Sequence, residues 1–134
     1  MTDLPTIEVA AAVIERDGRY LLTQRTGGSH LAGLWEFPGG KRRRDESLEE
    51  CLRRELREEL AVEIEIGEKL ETTTWPYPER IVVLHFFRCD LAGGEVAPQE
   101  GQAAVWVTPE ELPSYPFPPA DASLIARLRQ PDRL

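Results

Sequence analysis

Glu55, Glu58 and Glu59 lie within five consecutive positions, directly after Arg54, on a stretch that reads as a helix. Carboxylates clustered in this way do one of two things. They form a solvated face with i, i+4 partners, or they offer hard oxygen ligands to a divalent cation. A helical wheel separates the two readings. At about 100° per residue, Leu48, Leu52 and Leu56 define an apolar arc flanked by Cys51, and Glu55 and Glu59 fall inside it. Glu58 lies at its edge, while Glu49, Glu50, Arg53 and Arg57 lie at or beyond the margin, as a solvated face requires. Carboxylates aimed at the packed side are heavily penalised unless cations meet them. Arg54 is one such cation, but three acids exceed it, so the pattern predicts a carboxylate–metal site.

The elements that must position this cluster can be read in turn. The helix is expected over Ser47 to Leu60: Ser47 with Glu50 makes a capping box, and leucines recur at 48, 52, 56 and 60. Thr6 to Glu15 and Arg19 to Arg25 read as strands joined by a hairpin turn at Arg16-Asp17-Gly18. Thr26 to Ala32 reads as a loop. Trp35 to Gly40 reads as a short extended piece entering a Gly-Gly turn, followed by the basic run Lys41 to Arg44. Val62 to Thr74 and Arg80 to Leu91 read as strands broken at Trp75 to Pro78, and Gly93-Gly94 as a turn. Ala103 to Thr108 reads as a strand, Pro109 to Leu112 as a short helical turn, and Pro118 to Arg129 as a closing helix. Strands interleaved with two main helices predict an α/β (α+β) fold, a mixed sheet between helices, in one domain over residues 1–134.

Composition narrows the function classes. The chain has 134 residues and a net charge of −8, which argues against a protein that tracks a nucleic-acid polymer. No apolar run approaches a membrane span, and Met1 to Pro5, with an acidic residue and no apolar core, does not read as a signal peptide. Cys51 and Cys89 make neither a disulfide framework nor a zinc cluster, so a cytoplasmic setting is expected. Cys51 reads as an inert buried thiol. His30 and His85 lack metal-ligand spacing and read as structural or surface residues, and Trp75, Tyr77 and Trp106 as core or pocket wall.

The box around the helix is Gly40, five residues, Glu46, seven residues, then Arg54-Glu55-Leu56-Arg57-Glu58-Glu59-Leu60-Ala61-Val62. It resembles the signature of the Nudix family, with one departure: the Gly expected near its end is Ala61. That position follows the helix, where positive φ is common, so the departure bears on the turn and not on a ligand. The resemblance implies a Nudix-type α/β/α sandwich that hydrolyses phosphoanhydrides with a divalent metal, usually Mg2+, for which Mn2+ can substitute. It implies metal-ligand roles for Glu55, Glu58 and Glu59, with the carbonyl of Gly39 as a further ligand. Arg54 would orient the glutamates, while Glu46 and Gly40 would be structural. The general base stays open among Glu58, Glu59 and Glu100.

The resemblance extends, in its MutT-like branch, over nearly the whole chain. The segments that carry it are Leu34 to Lys41, Glu100-Gly101-Gln102 and Phe117-Pro118-Pro119-Ala120-Asp121. It implies that Glu100 joins the metal site and that Arg25 and Arg80 contact the nucleotide. Lys41 would reach a phosphate, whereas Arg42 to Arg44 read as a solvated run. Phe37 is a base-pocket wall or a core residue. Asp121 stands where the branch often carries Asn; it is a base acceptor, a helix N-cap, or both. The expected substrate is a nucleoside triphosphate, foremost 8-oxo-dGTP in nucleotide-pool sanitisation and DNA repair, with CTP or 5-methyl-(d)CTP as the alternative. A non-catalytic nucleotide sensor is the competing class, and retention of all three glutamates argues against it. A monomer or weak homodimer is expected.

Overall fold

The computed structural model describes residues 4–27 and 31–130. His30 and the middle of the expected 26–32 loop lie outside them. Strand β1 (Thr6–Arg16) turns into β2 (Arg19–Gln24) through Asp17 and Gly18, both at positive φ. Two short strands, β3 (Trp35–Glu36) and β4 (Gly39–Lys41), lead to helix α1 (Leu48–Leu60). Then follow β5 (Glu63–Pro76), β6 (Ile81–Gly93) and β7 (Ala104–Val107). The chain closes with 3-10 turns at Pro109–Ser114 and Pro119–Asp121 and helix α2 (Ala122–Leu128).

The sheet is mixed, as expected. Its order is β3-β2-β1-β6-β5, with β4 added to β1 and β7 to β2. β1 and β6 run parallel over Thr6–Ile14 and Ile81–Cys89, while every other pairing is antiparallel. β1 alternates between the two faces of the sheet. Ala10, Ala12 and Ile14 meet α1 through Cys51, Leu52, Leu56 and Leu60, all fully buried. Ala11 and Val13 face Phe37, Phe86 and the α2 residues Leu124 and Leu128. Each buried leucine contributes roughly 1.5–3 kcal/mol, so packing against the alanine stripe, more than helix propensity, fixes the axis of α1.

Three expectations need correction. The expected Gly-Gly turn is strand instead, because Gly39–Lys41 pairs with Val9, Ala10 and Ala11 of β1 as β4. β5 runs on through Trp75 and Pro76, so the break reduces to Tyr77–Arg80, where each of these two backbone N–H groups donates to the other's carbonyl. The closing helix is not continuous from Pro118. A 3-10 turn takes Pro119–Asp121, and Asp121 sits in the αR region with no side-chain capping bond. Asp121 is therefore not an N-cap donor-acceptor of the usual kind, which requires extended backbone at that residue.

The ends of α1 are as the sequence reads. The Ser47 hydroxyl accepts from the Glu50 N–H at 3.0 Å, and the Ser47 N–H donates to the Glu50 carboxylate at 2.7 Å. Ala61 ends the helix at φ 59°, ψ 35°, its N–H donating to the Arg57 carbonyl. A Cβ in this left-handed region costs about 1 kcal/mol or more. Ala61→Gly should therefore raise the urea-denaturation stability by up to about 1 kcal/mol with turnover unchanged. A loss of stability would contradict the strain.

Candidate functional site

One cleft of about 370 Å3 gathers residues from β1, β2, β3, β4, α1, β6 and the loops beside them. At one end lie Gly39, Gly40, Lys41, Glu55, Glu59 and Glu100. At the other lie Phe37, Leu84, Phe86, Tyr77, Arg80 and Asp121, with Arg25 and Glu36 also lining the space.

The acidic end depends on close backbone packing. A Cβ on Gly39 would lie 2.0 Å from the Ala10 carbonyl oxygen, and one on Gly40 would lie 2.3 Å from the carboxyl carbon of Glu55. These two glycines let β4 lie against β1 while the Glu55 carboxylate stands over the strand. Glu46 then meets Arg54 in a two-bond fork: Nη2 donates to Oε1 at 2.6 Å and Nε to Oε2 at 3.0 Å. Arg54 Nη1 donates to Glu55 at 2.9 Å and to Glu58 at 3.2 Å, and Nη2 also reaches the Lys41 carbonyl at 3.1 Å. The Arg54 bonds, with a bond from the Arg43 N–H, hold the Glu46 carboxyl down at about 2. The same carboxylates hold the Arg54 guanidinium above its usual range.

Glu59 lacks that help. Burial, a hydrogen bond to Glu55, and repulsion from Glu55, Glu36 and Glu100 push its carboxyl well above the ordinary carboxylate range. The arrangement fits a hard cation, since carboxylate oxygens converge on one cleft and their repulsion is unrelieved at Glu59. Glu58 stands apart. Its side chain is 49% exposed and meets Arg54 and, at 4.0 Å, Arg43. Among the described residues no three His, Cys, Asp or Glu side chains are already gathered into a ligating cluster.

The Gln99 N–H donates to the Glu59 carbonyl at 2.8 Å and Gln102 Nε2 to the same oxygen at 3.2 Å. The Glu100 N–H is in turn held by Gln102 Oε1 at 2.9 Å. These bonds stitch the 99–102 loop to the C-terminal turn of α1 and bring Glu100 to the cleft. Gln102 is thus an organiser that the sequence reading did not single out, although its place in the Glu-Gly-Gln segment was the available signal.

At the other end Phe37 is a core residue that also forms part of the cleft lining. It is 3% exposed, stacks on Phe117 at 5.9 Å, meets Phe86 edge-on at 6.1 Å, and lines the cleft. Arg25 donates to Glu36 at 2.7 Å. Glu36 is a second residue that sequence reasoning missed. Burial raises its carboxyl above the usual value against the pull of Arg25, and it repels both Glu59 and Asp121. Asp121 is 4% exposed; burial and Glu36 raise its carboxyl to about 7, with Arg25 opposing. Arg80 and Lys41 reach the cleft as well, and Tyr77 forms part of its wall.

Comparison with known proteins agrees with this geometry. A family model described as NUDIX domain matches residues 9–127. The chain is 48% identical over 119 residues to a CTP pyrophosphohydrolase of Escherichia coli K12, covering 89% of this chain and 88% of that protein. It is 39% identical over 127 residues to an 8-oxo-dGTP diphosphatase of Haemophilus influenzae, covering 94% and 93%. The solution structure of the E. coli ORF135 protein superimposes with TM-score 0.82 at 44% identity, over 96% of each chain. The MutT protein of Methanosarcina mazei Go1 superimposes with TM-score 0.85 at 26% identity, also over 96% of each. With the signature's Arg54, Glu55, Glu58 and Glu59 on one helix beside a cleft, and a family match over most of its length, the chain belongs to the Nudix family of hydrolases.

Proposed function

We propose that this Nudix hydrolase cleaves a nucleoside triphosphate between its α and β phosphates, releasing a nucleoside monophosphate and pyrophosphate, with 8-oxo-dGTP as the substrate. The observation that carries this reading is the packed Glu55–Glu59 pair, which shares one cleft with Arg25, Lys41 and Arg80. Glu55, Glu58, Glu59, Glu100 and the Gly39 carbonyl would hold Mg2+, with Mn2+ able to substitute. A bound ion of this kind neutralises phosphate oxygens and lowers the pKa of an attacking water. Arg54, anchored to Glu46 by a fork that Lys cannot reproduce, orients Glu55 through a single bond from Nη1. Lys41, Arg25 and Arg80 offset phosphate charge. The proton released by water passes to one of Glu58, Glu59 or Glu100.

Asp121 reads the base. Below about 7 it is protonated, and above that it is ionised. An ionised carboxylate only accepts, which suits the two adjacent donors of a guanine, N1–H and the exocyclic amine. A protonated one donates and accepts, which suits the acceptor N3 and the donor amine of a cytosine. CTP is accordingly the second reading, favoured by the relative named as a CTP pyrophosphohydrolase. No helix among the described residues is long and apolar enough to cross a membrane, and Cys51 and Cys89 are free and buried. The proposal includes action on free nucleotides in the cytoplasm, as a monomer or weak homodimer, in the service of DNA repair.

Glu59→Gln should lower turnover by at least about a hundredfold, more than the loss of a group one contact removed from a metal, while circular dichroism stays native. Near-normal turnover in that variant would remove the metal site from Glu59. The Asp121 reading is tested by the ratio of kcat/KM for 8-oxo-dGTP to that for CTP between pH 6 and 8.5. The ratio should rise with pH in the native protein, because ionisation favours the guanine edge, and should lie flat in Asp121→Asn. A flat ratio in the native protein would assign base choice elsewhere.

A further inference from the structure

A chain of polar contacts outside the cleft runs from the exposed rim of β5 to the turn that precedes α1. Two register shifts in the β5–β6 ladder flank Lys69, at Ile66/Lys69 and at Lys69/Glu71. Irregularities of this kind re-aim a side chain, and here Lys69 Nζ lies 3.0 Å from His85 Nδ1. An ammonium has no acceptor, so Nδ1 accepts and the ring proton sits on Nε2. Nε2 then donates to Glu8 Oε1 at 2.9 Å. His85 is 7% exposed and offers one ring nitrogen to each neighbour. The His85 bond, opposed by burial and aided by Arg42, holds the Glu8 carboxyl below its ordinary value.

The second oxygen of Glu8 is left for Arg42, whose Nη2 donates to it at 3.2 Å. The Arg42 N–H also donates to the Glu8 carbonyl at 2.8 Å. Fixed twice, Arg42 turns its other arm toward the residues that follow it, and Nη1 donates to the Glu46 carbonyl at 3.1 Å and the Arg43 carbonyl at 3.4 Å. Arg43, Arg44 and Asp45 are exposed. A turn without buried apolar side chains opens at little cost, so its polar ties set where Glu46 stands.

We propose that Glu8 is a positioning residue for the metal-binding glutamates, acting through Arg42 on the 42–46 turn and hence on the Glu46–Arg54 fork. Lys69 and His85 set the orientation of the Glu8 carboxylate. The assignment rests on the proposed metal role of Glu55 and Glu59.

The test compares Glu8→Gln, Arg42→Gln, Arg42→Lys and the Glu8→Gln/Arg42→Gln double variant. Each is assayed for kcat, for nucleotide KM, for the Mg2+ concentration giving half-maximal activity, and for thermal midpoint. Each single variant should raise the Mg2+ requirement by about threefold to tenfold, less than the 10–100-fold seen for groups that touch metal ligands directly. KM should stay within about twofold, and the thermal midpoint should hardly move. Arg42→Lys keeps the charge but lacks the second arm, so it should behave as Arg42→Gln does. The double variant should be no worse than the worse single, because coupled residues are non-additive. An unchanged Mg2+ requirement, additive losses, or full activity in Arg42→Lys would overturn the assignment. Glu59→Gln in the same assay separates the two claims: if it keeps native activity and Mg2+ response, the metal site itself is wrong and the role of Glu8 falls with it.

Discussion

The Arg54 guanidinium ties the box together. Its fork grips Glu46 with two bonds, one nitrogen serves both Glu55 and Glu58, and another also reaches the Lys41 carbonyl. Only a planar group with several donors at fixed angles can do this. Two carboxylates about 4 Å apart repel by about 4 kcal/mol at an effective dielectric of 20. Arg54 offsets that repulsion at Glu55, which it touches, and leaves it at Glu59, which it does not. The raised carboxyl of Glu59 therefore follows first from burial, then from its bond to Glu55 and from acidic neighbours whose repulsion Arg54 does not relieve there.

The fork works because the backbone beneath it is thin. Ala10, Ala11 and Ala12 are buried on a strand whose two faces meet α1 and the α2 side. Gly39 and Gly40 lie against that strand without side chains, and Glu55 fills the space a Cβ of Gly40 would take. Small residues here bring the strand and helix together, and the leucines of α1 hold them there. The cleft's other end is built on different terms, with stacked aromatics as a wall and the buried Asp121 carboxyl beside Arg25 and Glu36.

Much of this was legible in the sequence where its cause is local. The capping box, the leucine spacing and the inward direction of Glu55 and Glu59 all depend on neighbours within a few residues, and α1 formed over the expected span. Glu36 was not legible. It lies in the two-residue strand Trp35–Glu36, and its meaning comes from its repulsion of Asp121 and Glu59, which lie far along the chain. The contact between Glu8 and His85 spans 77 positions and leaves no periodic trace. The N-cap expectation for Asp121 failed because its N–H already closes a turn onto the Pro118 carbonyl. That turn places the residue inside the curve and its carboxyl in the cleft.

The proposed role of Glu55 and Glu59 of α1 as ligands of the divalent ion can be read from anomalous diffraction of crystals grown with Mn2+. A peak is expected within about 2.0–2.6 Å of oxygens from both carboxylates, the range of hard cation–oxygen bonds, and should be lost in Glu59→Gln. A peak held by other side chains, with Glu55 and Glu59 turned away from it, would exclude both as ligands.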